Sequence, residues 1–540
     1  MFLSFLFALL LQAPQAAPDA PHVFPGSTCK LEQLTGERDV ARGVFTRSRT
    51  QSAARLVGTD LGSSFEHDGK LYFLFGDSAG GAPNADVIAW SSARTPDELA
   101  LEFHTDEEGR FRRLTLPGVS SEAFEVPSYG ISLDGAMYVV FTTDHSKRNT
   151  MGRSVLGRSR DDGRSFERVF DLSTKHFINV ALQRASVEDH AGLPEDDCVL
   201  VWGSGKYRAS NARLALAPTD RFAERSAWRY FAGAPDGNPT WTADEDGSVD
   251  LFDHPVVGEL SVAWIEPLER WVMLYNSAAP RGIVMRTARN PWGPWTDAEV
   301  VFDPWLDQGY AHFMHVDWKT SRMDEIHDPG RQNRWGGEYG PYLIPRFTRG
   351  DAERCTLVFT MSTWNPYQVV LMSTDVGRPG AAPQLEETRF LFGAPPCTTQ
   401  GSTPQRFERN GKPHVTTFTD GGDRDLVVSH CSVDAIDGGM LSFQLHGGRS
   451  RVVLVRDDHA PPDEIEDIPA FERELLLGRY GPVLESIAGP ANNEVDVPVR
   501  WNLSRHAGHR LRLYLVDAST APWGFVSVSE VTSSKPREAH

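Results

Sequence analysis

The segment Leu56–Ser78, LVGTDLGSSFEHDGKLYFLFGDS, decides the fold. Apolar runs on both sides of the Asp68-Gly69 dipeptide predict two antiparallel strands joined by a tight turn. Asp60 lies near the start of the first strand and Asp77 near the end of the second. Because the second strand returns to the edge where the first began, we expect both carboxylates at one rim of the sheet.

The hairpin pattern recurs along the chain, which indicates a repeat architecture. The first strands of the five copies are expected to begin near Gly58, Glu125, His176, Gly258 and Gly336. A third strand follows each copy, and a more polar fourth segment follows most of them. Five such units predict a five-bladed β-propeller over residues 30–395.

One short motif is assigned to folding. The segment Ser159–Phe166, SRDDGRSF, resembles the Asp-box turn of sialidase-like propellers. Asp161 is therefore interpreted as a structural turn residue between outer strands.

The strand pattern changes after about residue 395, by the spacing of its alternating segments. Segments such as LSFQLHGGRSRVVLV and VDVPVRWNLSRHAGHRLRLYLVDAS predict strands in another arrangement over residues 400–535. This region resembles the β-sandwich that follows the propeller in fructan-cleaving hydrolases. The expected fold is all-β, a five-bladed β-propeller followed by a C-terminal β-sandwich.

The N-terminal segment, MFLSFLFALLLQAPQAAPDA, is typical of an export signal. Its apolar run is shorter than the about 20 residues that a membrane helix needs, and small residues follow it. We expect residues 1–20 to be a signal peptide and the protein to be secreted or extracytoplasmic, without a membrane span and as a monomer.

Composition limits the partners. The formal net charge of −19 argues against a nucleic-acid partner, because phosphate contacts need clustered Lys and Arg. No GxSxG elbow, P-loop, HExxH or GxGxxG motif occurs, so the sequence predicts no cofactor and declares no metal-ligand set. An acidic surface suits a neutral or sugar-like partner, and it also suits simple solubility.

The five cysteines form no CxxC pair. An exported protein can hold one or two disulfides. Cys397 and Cys431 are the first candidate pair, because both fall in one late segment, and an odd count leaves at least one thiol free.

The paired aspartates have two interpretations. Strands about 4.8 Å apart would place their carboxylates about 5–9 Å apart, a range that includes the separations used in glycoside cleavage. Aspartate is also common at strand ends because it caps turns. The hairpin alone leaves both interpretations open.

The same reasoning selects further candidate residues. Glu338 takes the place of Asp60 in the fifth unit and Asp144 takes the place of Asp77 in the second. The side chains that could bind a sugar by stacking or hydrogen bonding are Glu125, Asp144, His315, Trp335, Tyr339, Trp364 and Asn365. Packing between repeat units is an equally ordinary role for the tryptophans, and a lone histidine is more often structural.

The segments GTDLGSSFEHDGKLYFLFGDS, RGIVMRTARNPWGPWT and WGGEYGPYLIPRFTRGD resemble a family known as domain of unknown function 4185. Members of that family have been classified as glycoside hydrolase family 183, the endo-D-arabinanases. The resemblance covers about Arg55–Thr374. It implies cleavage of internal α-D-arabinofuranosyl linkages, which occur in mycobacterial arabinogalactan and lipoarabinomannan.

The resemblance also implies roles for residues. Asp60 and Asp77 match the family's expected catalytic pair, with Asp60 expected as base or nucleophile and Asp77 as its partner or acid. Glu338 matches an expected active-site residue and is the alternative acid. Two other readings stay open: a glycan-binding propeller without catalysis, and a propeller glycosidase or lyase of another specificity. Fold alone does not choose among them.

Overall fold

The computed structural model describes residues 19–536 with short gaps, and is nearly all β-structure. The gaps are residues 81–83, 189, 318–333, 383–384, 390–397, 402–404, 410–411, 419–424, 435–438, 449, 490–495 and 523. Most of the expected signal peptide and Cys397 lie outside the described residues. The prediction of an all-β chain is confirmed.

Five antiparallel sheets of four or more strands account for most of residues 22–377, and the strands Arg38–Asp39 and Val44–Phe45 form a separate two-stranded sheet. Sheet 1 contains the strands Gly58–His67, Lys70–Ala79, Ala85–Ser91 and Glu102–Phe103. Sheet 2 contains Pro127–Leu133, Ala136–Thr143, Arg153–Ser159 and Glu167–Ser173. Sheet 3 contains Asn179–Ser186, Asp197–Ser204, Ala212–Pro218, Arg229–Gly233 and Thr240–Thr242. Sheet 4 contains Leu260–Ile265, Arg270–Ala278, Arg281–Ala288 and Glu299–Phe302.

Sheet 5 is completed by the N-terminal part of the chain. Its own strands are Glu338–Leu343, Arg349–Gly350, Cys355–Thr363 and Gln368–Gly377. The strands His22–Val23 and Cys29–Gln33 pair antiparallel with Gln368–Gly377. The two ends of this region are thereby held in one sheet, by a pairing that spans more than 300 residues of sequence.

The first strands of the five sheets contact one another in a closed ring, in the order 1, 2, 3, 4, 5 and back to 1. Small hydroxyl side chains join neighbouring first strands. Ser128 Oγ accepts the Val180 N–H at 3.0 Å, and Ser261 Oγ accepts the Leu343 N–H at 3.0 Å. Apolar side chains fill the spaces between adjacent sheets, with Trp202, Trp271 and Tyr275 fully buried.

Two further sheets follow. Sheet 6 contains Leu385–Arg389, Gln405–Arg409, Lys412–Thr416, Met440–Gly447, Val497–Asn502 and Val526–Pro536. Sheet 7 contains Thr398–Gly401, Val427–Asp434, Arg451–Arg456, Val483–Ala488 and Arg510–Asp517. Alternating side chains from both sheets, such as Phe443 and Leu513, share one buried core.

Helices are few within the described ranges. The α-helices are Thr50–Ala54 and Ile468–Leu476. The short 3-10 helices are Pro96–Glu98, Thr219–Arg221, Arg225–Ala227, Pro235–Gly237, Glu245–Gly247, Glu266–Leu268, Pro345–Phe347 and Ser504–His506. In this part of the chain, none is long and apolar enough to cross a membrane.

Cys431 is disulfide-bonded, whereas Cys29, Cys198 and Cys355 are free. Asp161 accepts hydrogen bonds from the Ser165 N–H and from the hydroxyls of Ser159 and Ser165, as expected of a structural turn.

Candidate functional site

Backbone irregularities surround both aspartates of the first hairpin. The pairing between the first two strands of sheet 1 shifts register at Asp60 and again between Leu61 and Ser63. Leu61 and Gly62 have φ angles of 67° and 95°, and Asp77 has a φ of 48°. Such bulges re-aim side chains and are frequent next to functional sites. The GTDLG motif therefore sets the direction of Asp60 as well as forming a strand.

Asp60 is buried near the opening of the ring. Its Oδ2 accepts a hydrogen bond from the Tyr339 hydroxyl at 2.8 Å, whereas its buried Oδ1 has no partner among the described residues. Burial, assisted by the nearby Asp77 charge, raises the pKa of Asp60 to about 8. This carboxyl is therefore mainly protonated at neutral pH.

Asp77 is more accessible than Asp60. Both of its carboxylate oxygens lie 3.1 Å from the Phe124 N–H, and its backbone carbonyl accepts the Tyr367 hydroxyl at 3.1 Å. Burial raises the pKa of Asp77, and the Phe124 amide opposes that shift. A third carboxyl, that of Asp86, is fully buried in the next strand, and burial raises its pKa well above the ordinary value.

A carboxylate next to sheet 4 also contributes to the charges around Asp60. Glu259 is buried and forms a two-point ion pair with Arg208, at 2.9 and 3.1 Å. The Arg208 guanidinium also lies over the rings of Tyr207 and Tyr339, at 4.7 and 5.2 Å from their centroids. Arg208 thus connects the Glu259 carboxylate to the tyrosine that holds Asp60.

Glu338 is directed elsewhere. Successive strand residues point to opposite faces, and Tyr339 points to Asp60. The Glu338 carboxylate instead pairs with Arg281 of sheet 4 at 3.2 and 3.3 Å. Arg281 also contacts the Tyr310 hydroxyl. Both Glu338 oxygens therefore face the Arg281 guanidinium, not Asp60.

Exposed aromatic side chains border the group. Trp364 is 58 % exposed and stands edge-on to Tyr367. Trp335 is 39 % exposed and packs against Tyr310. Phe124, whose amide binds Asp77, is also exposed and stacks on His145. Tyr367 donates to the backbone carbonyl of Asp77, and Tyr310 contacts Arg281, the partner of Glu338.

The remaining candidates from sequence have local roles. Glu125 is buried and accepts the backbone N–H groups of Glu122 and His145, so it holds two loops together. Asp144 is exposed and pairs with Arg153. His315 and Asn365 are almost fully buried and are joined by a backbone hydrogen bond of 3.0 Å.

Sequence reasoning missed Glu259, Arg208 and Tyr367. The sequence did carry a signal for Glu259, which stands immediately before the first strand of its sheet, much as Glu125 stands two residues before the first strand of sheet 2. Arg208 and Tyr367 lie in connections, and no repeat pattern marks them.

Residues 46–373 match the family described as a domain of unknown function, DUF4185. The chain belongs to this family. The Notoamide biosynthesis cluster protein J' of Aspergillus versicolor is 23 % identical over 314 residues, which are 50 % of this chain and 80 % of that protein.

Similar solved structures include two sugar-cleaving enzymes. The exo-beta-1,3-galactanase from Phanerochaete chrysosporium has a TM-score of 0.41 at 9 % identity, covering 94 % of this chain and 100 % of its own. An exo-1,5-alpha-L-arabinanase from a bovine ruminal metagenomic library has a TM-score of 0.33 at 9 % identity, covering 59 % of this chain and 93 % of its own. TM-scores of this size carry no functional argument.

Proposed function

We propose that this protein is a secreted, endo-acting glycoside hydrolase that cleaves internal α-D-arabinofuranosyl linkages of D-arabinan. We take the five sheets as the blades of a five-bladed β-propeller and sheets 6 and 7 as a C-terminal β-sandwich. The observation that carries the proposal is the burial of Asp60, which raises its pKa to about 8, beside the more accessible Asp77 at a rim bordered by exposed aromatic rings.

The pair suits acid–base cleavage of a glycosidic bond. A carboxyl with a pKa of about 8 can protonate the leaving oxygen at neutral pH, while a second carboxylate activates water or attacks the anomeric carbon. The greater burial of Asp60 favours it as the acid and Asp77 as the base or nucleophile. These roles are the reverse of those expected from the sequence.

Neighbouring groups support this chemistry. The Tyr339 hydroxyl fixes the orientation of Asp60, and the Phe124 amide fixes that of Asp77. Negative charge at Asp77 favours a transition state that resembles an oxocarbenium ion. Trp335 and Trp364 offer exposed faces on which sugar rings can stack.

The test is incubation of the purified protein with mycobacterial arabinogalactan, followed by sizing of the products. We expect a ladder of short arabino-oligosaccharides. Asp60→Asn removes the proton donor at nearly constant volume and should lower the rate by about 100-fold or more. Asp134→Asn, an exposed turn aspartate, is the control and should cleave at the wild-type rate.

A second candidate function is glycan binding without cleavage. The exposed rings of Trp335, Trp364 and Phe124 favour it, because stacking needs no acid. Binding of arabinogalactan in calorimetry without any product would support this function. A near-normal rate for Asp60→Asn would remove Asp60 from the mechanism.

Secretion is part of the proposal and has its own test. Export with removal of residues 1–20 predicts that the protein from the culture medium begins near Pro21. N-terminal sequencing of secreted protein measures this directly, and an intact Met1 would contradict it.

A further inference from the structure

A buried histidine faces two aspartates at the end of the first sheet that lies away from Asp60. His67 closes the strand that contains Asp60, seven residues further along, which corresponds to about 23 Å of strand. Asp68 follows it in the turn, and Asp162 comes from the turn between the third and fourth strands of sheet 2. We propose that this cluster of His67, Asp68 and Asp162 binds a divalent transition-metal cation.

The distances fit a small metal site. His67 Nε2 lies 3.3 Å from Asp162 Oδ1 and 3.7 Å from Asp68 Oδ2. The three ligand atoms all lie within 4.8 Å of one another. Tetrahedral zinc, with bonds of about 2.0–2.2 Å, holds its ligand atoms about 3.3–3.6 Å apart. Two of the three separations are already close to that range.

The setting of the imidazole supports a cation. His67 is 3 % exposed, and its Nδ1 lies 2.8 Å from Ser132 Oγ. Metal-binding histidines usually donate through the second ring nitrogen to such an oxygen. When His67 donates from Nδ1 to Ser132, its Nε2 lone pair faces the two carboxylates and can bind a cation together with them. Without a metal, the other tautomer donates from Nε2 to Asp162 Oδ1 at 3.3 Å.

Both aspartates can serve as ligands without disturbing the fold. Asp68 and Asp162 have φ angles of 47° and 59°, a region that aspartate tolerates. Asp161 makes the hydrogen bonds of the Asp-box turn, so that Asp162 is not needed for them. Arg164 lies 3.4 Å from Oδ2 of Asp162, so the other oxygen, Oδ1, remains directed towards His67.

The donor set selects the type of ion. One imidazole nitrogen and two carboxylate oxygens suit Zn²⁺ or Mn²⁺, with water completing the coordination. Ca²⁺ takes six to eight oxygen ligands and is a poorer fit. Bound metal would join sheet 1 to sheet 2 at the end remote from the carboxylate rim.

The experiment is calorimetric titration of the chelator-treated, tag-free protein with Zn²⁺, Mn²⁺ and Ca²⁺. We expect one Zn²⁺ or Mn²⁺ per chain, with Ca²⁺ at least tenfold weaker, and a rise in the thermal midpoint on binding. Asp68→Asn and Asp162→Asn should each weaken binding at least tenfold. Both keep a residue that accepts the left-handed backbone region.

Asp134→Asn provides a matched control. Asp134 and Gly135 form the equivalent turn of sheet 2, with Asp134 at a φ of 50°, but Leu133 stands where sheet 1 has His67. This variant should bind metal as the wild type does. Absence of Zn²⁺ and Mn²⁺ binding would overturn the proposal, as would equal binding by wild type, Asp68→Asn and Asp162→Asn.

Discussion

At the scale of single residues, the molecule places an aspartate where its ionised form is unfavourable. Burial and the charge of Asp77 raise the pKa of Asp60, and hydrogen bonds from the hydroxyls of Tyr339 and Tyr367 oppose that shift. An ionised carboxylate at this buried position costs free energy, which a structural role would not require. Carboxyl groups with strongly shifted pKa values cluster at functional sites.

The pH dependence of stability tests this directly. The pKa of Asp60 is raised from an ordinary 3.8 to about 8. Between these values the folded state holds a proton that the unfolded state has released, so the free energy of unfolding falls as pH rises. The contribution is fully present below about pH 4 and is lost as pH rises through about 8.

Asp60→Asn removes that contribution. We expect the thermal midpoint of the wild type to fall relative to that of Asp60→Asn as pH is raised from 4 to 8. Above about pH 8.5 the difference between the two midpoints should stay constant. Asp134→Asn should follow the wild type throughout. A difference between wild type and Asp60→Asn that is constant from pH 4 to 8 would contradict the raised pKa.

At the scale of elements, the glycine of the FGD motif shows how one sheet meets the next. A β-carbon at Gly76 would lie 2.5 Å from Val126 Cγ1 and 3.1 Å from Leu61 Cδ1. Gly76 pairs with Asp60 and immediately precedes Asp77. The close approach of sheet 2 therefore occurs at the position that fixes both aspartates.

Gly76→Ala should destabilise the protein by about 1–3 kcal/mol through overpacking. It should also reduce any cleavage activity, because the strand must move at Asp77. Gly337→Ala is the stability control, since its β-carbon would meet its nearest neighbour at 3.6 Å. Chemical denaturation of the two variants measures the difference. Equal stability would show that the contact with Val126 relaxes without cost.

The strands and the paired aspartates were predictable because they depend on local patterns. The period-2 alternation of each repeat places the first strands within three residues of their observed starts. The pairing of Cys29–Gln33 with Gln368–Gly377 depends on ring closure, which leaves no local signal. Glu259 and Arg208 likewise become neighbours of Asp60 through sheets distant in sequence. The burial of His315 depends on packing between sheets, so it could not be predicted from the residue type alone.

At the scale of the whole molecule, buried charges join the ring of five sheets to the last two sheets. Arg42, from the N-terminal segment, donates to Glu485 Oε2 from Nε and Nη2 at 3.2 and 2.9 Å. Its Nη1 donates to the Leu31 carbonyl at 2.8 Å, and its own carbonyl accepts from Arg451 at 3.2 Å. Arg42 is therefore hydrogen-bonded on both sides of the junction.

Removing one member of such a pair leaves the other buried without its partner. Arg42→Ala should reduce the free energy of unfolding by about 3–5 kcal/mol, towards the lower value because Arg505 lies 3.6 Å from Glu485. The exposed pair of Arg110 and Asp106 is the control, and Arg110→Ala should lower the free energy of unfolding far less than Arg42→Ala does. Calorimetric scans distinguish the two variants.

If the junction couples the two parts, Arg42→Ala should also split one unfolding transition into two, because sheets 6 and 7 lose a contact that holds them to sheets 1 to 5. A scan of Arg42→Ala that matches the scan of Arg110→Ala would contradict a stabilising junction.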